Sequence, residues 1–252
     1  MTIVRRSEQR RLPPSGDSWP AEGASTSTGT LRRVDWDGHA EREEGRYADG
    51  LGRLPADPDG RQKQLVRVAM AATGAGLARL MQGRRAEAAG WLARSAERFR
   101  ESYADAPPGS WGRLIGAVKA RVLAGDWHGA ATDAEWALEQ GPVEAESPIG
   151  RYAAVLALLV LGRDEDARPP ADSLRLEPEE AFPRPVADAL AALAAGEADA
   201  YRAAAVGVLE SFEGRDEYLE DIPVADTVVV LEALAERRGL AAGLTSPLLP
   251  GR

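Results

Sequence analysis

Cysteine is absent from this chain of 252 residues. That removes disulfides, thiolate nucleophiles, iron–sulfur clusters and zinc fingers at once. The two histidines, His39 and His128, are too few for a multi-histidine metal site. Long apolar runs are also missing: the longest, Ala153 to Leu161, falls far short of the ~20 residues a helix needs to cross a bilayer. Basic charge is outnumbered, 31 Lys and Arg against 40 Asp and Glu, for a net charge of −9. Such a surface repels phosphate backbones and anionic lipid, so neither nucleic acid nor membrane is an expected partner. Arg5, Arg6, Arg10 and Arg11 precede Leu12-Pro13-Pro14-Ser15-Gly16, where a secretory signal would carry its apolar stretch, and a cytoplasmic location is expected.

What is present suffices for a folded core, since 44% of the residues are apolar. Residues 1–64 hold eleven basic and eleven acidic residues, so the whole net charge falls on the remainder. The first thirty residues, with Pro13-Pro14 and the run from Gly23 to Gly29, are expected to be disordered. Residues 31–64 form a loop or strap segment in which Val34, Trp36 and Tyr47 could pack on the body, as a strap or a short helix. A helical domain is expected over residues 65–240, with a tail at 241–252.

From Leu65 onward the chain repeats one unit: an apolar stretch, a Gly turn with charge, and a second apolar-periodic stretch. The turn glycines Gly83, Gly125, Gly162 and Gly196 lie 42, 37 and 34 residues apart, close to the period of helix-hairpin repeats. Five residues after each stands Ala88, Ala130, Ala167 or Tyr201, mostly small enough to let helices approach. Ala88, Leu92, Ala96, Phe99 and Tyr103 share one helical face, as do Tyr201, Ala205, Val208, Leu209 and Phe212. Prolines at 107, 108, 142, 148, 183 and 185 separate the hairpins, whereas Pro169-Pro170 predicts a second helix that is short or broken. Thr227 to Leu231 is β-branched, but Asp221 as cap, Pro223 in a first turn and Arg237-Arg238-Gly239 as closure predict a helix from about Ile222 to Arg238. The expected fold is all-α: tandem helical hairpins in a tetratricopeptide-like α-solenoid with a C-terminal capping helix.

No catalytic residue, cofactor site or metal site is assigned. His128 with Asp133 nearby is the one acid–base pair the sequence offers, and its plainer reading is a wet inter-helix turn. Gly74-Ala75-Gly76 lies in a helical stretch, follows no strand and lacks a phosphate-loop lysine. Between Gly196 and Asp226 nine carboxylates face Arg202 and Arg215 alone, without the spacing of a calcium loop. This run is either a solvated loop or a patch steering a basic protein partner. On the second reading Glu213, Asp216, Glu217, Tyr218, Leu219, Glu220 and Asp221 form the partner-binding site, with Tyr218 and Leu219 as its apolar anchor. Alternatives are an enzymatic or small-molecule groove using His128 and nearby carboxylates, or a scaffold self-associating through Trp91, Trp111, Trp127 and Trp136.

The segment Val224 to Leu240, followed by Thr245-Ser246-Pro247-Leu248-Leu249-Pro250, resembles the end of immunity protein 49-like proteins. In that family a last helix ends in Gly and a short Ser-x-x-Leu-Pro-type tail follows. The likeness takes in the preceding hairpin with its Gly196-Glu197 turn and acidic connector. It implies a helical, non-enzymatic protein that neutralises a toxin by direct binding, and it carries no motif of functional residues.

Overall fold

The computed structural model describes residues 34–218 and 221–251. Among these the protein is all-α, with ten α-helices, one 3-10 turn and no strand. The helices are α1 (Trp36–Gly52), α2 (Pro58–Met81), α3 (Arg85–Tyr103), α4 (Trp111–Leu123), α5 (Trp127–Glu139), α6 (Pro148–Val160), α7 (Asp164–Leu174), α8 (Arg184–Ala195), α9 (Ala198–Glu213) and α10 (Asp226–Glu236). None of these is long and apolar enough to cross a membrane. The expectation of disorder over residues 1–30 lies outside the described residues.

The four expected hairpins are present as α2/α3, α4/α5, α6/α7 and α8/α9. Each turns on its glycine, Gly83, Gly125, Gly162 or Gly196, with φ between 70° and 75°, a conformation an L side chain resists. In every turn the amide after the glycine reaches back to a carbonyl five residues earlier, as Arg84 N to Arg79 O at 2.9 Å and Glu197 N to Ala192 O at 3.0 Å. A turn this short reverses the chain, and each helix packs on its chain neighbours. Ala88, Ala130, Ala167 and Tyr201, one per hairpin, are all fully buried. Leu92, Leu114, Leu156 and Leu190 fill the layers between, each side chain contributing about 1.5–3 kcal/mol by leaving water.

Three expectations are corrected. From residue 34 to residue 64 the chain takes the short-helix alternative: Asp35 accepts from Gly38 N at 3.0 Å and caps α1, whose Tyr47 packs edge-on to Trp91 at 5.3 Å between ring centres. The first hairpin therefore begins at Pro58, capped by Asp57, rather than at Leu65. Second, α7, expected to be short or broken, is short at eleven residues but runs unbroken through Pro169 and Pro170. The carbonyls those prolines leave unpaired belong to the exposed Glu165 and Asp166, where water serves them, while Ala167, Ala171 and Leu174 carry the buried face.

The third correction is the last helix, which spans Asp226–Glu236 instead of Ile222–Arg238. Asp221 sits at φ 55°, Pro223 disfavours a helical Ile222, and the Ala225 amide is taken by Leu248 O at 2.9 Å. Asp221 therefore caps nothing. In place of a cover on the final hairpin alone, α10 packs on α8, α9 and also α4. Val228, Val230, Leu231, Leu234 and Ala235 are all buried, an apolar arc too wide for one neighbour. The tail that follows is held in place: Glu232 accepts from Tyr201 Oη at 2.8 Å and from the Ala242 and Gly243 amides at 3.0 and 2.8 Å. Burial, together with the Glu232 carboxylate, pushes the Tyr201 phenol well above its ordinary range.

Candidate functional site

The first helices of the hairpins, α2, α4, α6 and α8, share a face, and the chain returns across it after α9. Ile222 reaches α2, where Gly74 leaves room for it: a Cβ on Gly74 would meet Ile222 Cδ1 at 2.8 Å and Glu43 Cγ at 2.9 Å. The glycines of Gly74-Ala75-Gly76 thus serve close helix packing and not phosphate. Between this returning segment and the helices lies a cavity of about 740 Å³. That volume falls within the range of small-molecule sites.

Most of the wall is apolar, from Val66, Met70 and Leu77 on α2, Phe99 on α3, Ile115 and Leu123 on α4, and Phe182, Phe212 and Ile222. Gly116 brings α4 against α3, since a Cβ there would stand 2.6 Å from the Phe99 ring. A small set of polar groups interrupts this lining. Lys119, which with Arg113 supplies the charge on the cavity-lining face of α4, donates to Asp226 Oδ2 at 2.7 Å and Thr227 Oγ1 at 3.2 Å. Asp226 opens α10, where the helix N-terminus also favours its charge. Burial alone would lower the Lys119 ammonium, but the Asp226 carboxylate and the Tyr152 phenol outweigh it, and its pKa is raised. The Tyr152 phenol is raised too, by burial first, with Lys119 opposing and Asp226 reinforcing. Tyr152 stacks obliquely on Phe182 at 5.5 Å. Arg215 lies over the Phe212 ring at 3.7 Å, and Arg113 donates to the Gln62 side-chain oxygen.

The residues singled out from sequence fall elsewhere or play other parts. Glu213 ends α9 and accepts from Ser246 Oγ at 2.7 Å, which pins the tail. Asp216, Glu217 and Asp221 are exposed on the connector. Tyr218 turns inward: it is half-buried, lines the cavity and donates its hydroxyl to Phe212 O at 2.8 Å. Leu219 and Glu220 lie outside the described residues. His128 is exposed on α5 and away from the cavity wall. Its imagined partner Asp133 is buried and held by Arg100 at 2.5 Å and Arg121 at 3.1 Å, so it is committed to joining α3, α4 and α5. His39, half-buried on α1, meets Arg42 through Nδ1 at 2.8 Å, and burial, aided by Arg42, lowers its pKa. Trp91, Trp111, Trp127 and Trp136 are each half-buried, Trp136 against Tyr103 at 5.4 Å and Trp127 beneath Arg237 at 4.3 Å.

Sequence reasoning missed Lys119, Tyr152 and Arg113 as site residues. Lys119 had a signal: it is one of two lysines and interrupts an apolar stretch from Leu114 to Leu123. Among the described residues no three His, Asp or Glu side chains converge as a metal site. Fold and site together define the described chain as a helical-hairpin protein with a mainly apolar, partly open cavity. Comparison with protein-family models, curated proteins and solved structures finds no match for this chain.

Proposed function

We propose that this chain is a non-enzymatic, cytoplasmic binding protein built as a tetratricopeptide-like array of hairpins, and that its ligand occupies the cavity. The observation that carries this reading is the position of the C-terminal segment. It crosses the face on which an extended partner would lie and leaves an apolar chamber with a few fixed polar groups, the makeup of a small-ligand site. The sequence-level alternative of a small-molecule groove is thereby favoured, with Lys119 and Tyr152 in the place of His128.

Gly112 supplies the test. It lines the cavity, and nothing lies within 4 Å of where its Cβ would stand, so a side chain can start there without striking a neighbour, and Gly112→Trp is the variant chosen to obstruct the chamber. The neutral fluorophore N-phenyl-1-naphthylamine is expected to bind the native chain at one saturable site and to lose at least ten-fold in affinity in the plugged variant. Unsaturable binding, or equal affinity in both proteins, refutes the reading.

A second reading, an immunity-type protein engaging a basic toxin, is favoured by one observation. Asp216, Glu217 and Asp221 are exposed on the connector, with His39 as the basic group that senses Asp221. It requires an association rate that falls with salt and with the double reversal Asp216→Lys and Glu217→Lys. A rate indifferent to both removes the connector from the account.

A further inference from the structure

The cavity wall is not neutral. Lys119, Arg113 and Arg215 line it, against the single carboxylate of Asp226. Lys119 and Asp226 compensate each other across 2.7 Å. The two guanidinium groups have no carboxylate partner among the described residues: Arg113 is engaged by Gln62, and Arg215 by the Phe212 ring. The wall thus carries two uncompensated positive charges in a chain whose net charge is −9. The Tyr152 hydroxyl on the same wall makes no hydrogen bond among the described residues.

Arg215, Tyr152 and Lys119 all line this one cavity, and the charges of Arg215 and Tyr152 both bear on the Lys119 ammonium. Arg113 stands six residues earlier on α4, about 9 Å along the helix axis. Elsewhere the wall offers hydrocarbon, from Val66, Met70 and Ile115. Arg215 lines the cavity but is exposed, so solvent partly screens its charge, and its guanidinium recognises an anion by paired hydrogen bonds more than by bare attraction. An open hydroxyl donor next to it adds direction.

Resting on the cavity reading above, we infer that the ligand is a small amphiphile with one acidic headgroup of the carboxylate kind. Its headgroup accepts from the Arg215 guanidinium and the Tyr152 hydroxyl beside Lys119, and its apolar body lies along Val66, Met70 and Ile115. Guanidinium matches the flat, two-oxygen carboxylate.

The test compares decanoate, decanol and decylammonium, one chain length with three headgroups, by calorimetric titration of the full chain at about pH 7.5, where the acid is ionised. Decanoate is expected to bind at least ten-fold more tightly than decanol, and decylammonium most weakly. Arg215→Gln and Tyr152→Phe are each expected to weaken decanoate at least three-fold and decanol by less, so that the preference for the acid over the alcohol shrinks. Arg215 is exposed on the connector, so its replacement does not threaten folding. Equal affinity for decanoate and decanol, or indifference of decanoate to both substitutions, overturns the headgroup assignment. If the neutral fluorophore still binds, the cavity reading survives that result. If neither it nor decanoate binds, both fall.

Discussion

Asp226→Asn cuts the contact that holds the N-terminus of α10 to α4, because Lys119 then loses its one carboxylate partner among the described residues. The side chains of Lys119 and Asp226 keep 16% and 24% of their exposure, and their charged atoms stand 2.7 Å apart. At an effective dielectric of about 20 the gross attraction at that distance is about 6 kcal/mol. Desolvation of two largely covered charges consumes most of it, leaving a coupling of about 1–3 kcal/mol. The single substitution costs more than the coupling alone if the ammonium stays buried and unpaired, and about 2–4 kcal/mol is expected. That corresponds to a fall in Tm of about 4–12 °C for a domain of this size. Lys119→Met costs less, and adding it to Asp226→Asn is expected to restore part of the loss. The assay is urea unfolding of the wild type, both singles and the double, which closes a thermodynamic cycle. There is also a pH signature. With its partner present Lys119 has a raised pKa, so the stability it brings is complete below about pH 10.5 and is lost as pH rises through the folded-state value. Without Asp226 burial is opposed by the Tyr152 phenol alone, the Lys119 pKa falls, and the alkaline limb of the stability curve moves to lower pH. A coupling below about 0.5 kcal/mol with an unmoved alkaline limb refutes the latch.

Further expectations concern the frame around the cavity. Tyr201→Phe removes the hydroxyl from Glu232 and is expected to cost about 1 kcal/mol near neutral pH, measured by urea midpoint. Because the Tyr201 and Tyr152 phenols both have raised pKa values, the native state holds protons that the unfolded chain releases above about pH 10. Stability should therefore fall as pH rises through that range, less steeply in Tyr201→Phe; a flat profile to pH 11 contradicts this. Gly116→Ala forces a methyl to within 2.6 Å of Phe99 and should destabilise by about 1–3 kcal/mol, whereas Gly90→Ala, with open space around it, should be neutral or stabilising. Asp133→Ala leaves Arg100 and Arg121 without their shared carboxylate and should cost about 2–4 kcal/mol, since both arginines stay partly hydrated; a loss under 0.5 kcal/mol would show that water replaces it.

The hairpins were legible in the residues themselves. A glycine that must take positive φ, followed five residues later by a residue that is fully buried, is a local signal, and all four such turns fall where the spacing puts them. The buried faces of α3 and α9 were legible for the same reason, since helical periodicity is set within the element. Even the β-branched Thr227 to Leu231 could be read as helix from its surroundings. The two prolines of α7 misled, because whether a freed carbonyl meets water or a neighbour is decided outside the helix.

The cavity was not legible, and neither were its ends. Lys119 and Asp226 lie 107 residues apart, and only the return of the chain over α4 brings them together. The start of α10 depends on Leu248, which takes the Ala225 amide from 23 residues downstream. Asp133 shows the same division: next to His128 in sequence terms, its carboxylate belongs to two arginines from other helices. By itself the sequence determined the helices, their turns and their buried faces, because those follow from backbone sterics and a 3.6-residue period acting over a few residues. Only the tertiary structure decided which charged groups pair and where empty space remains, since both depend on how separately formed helices fit against one another.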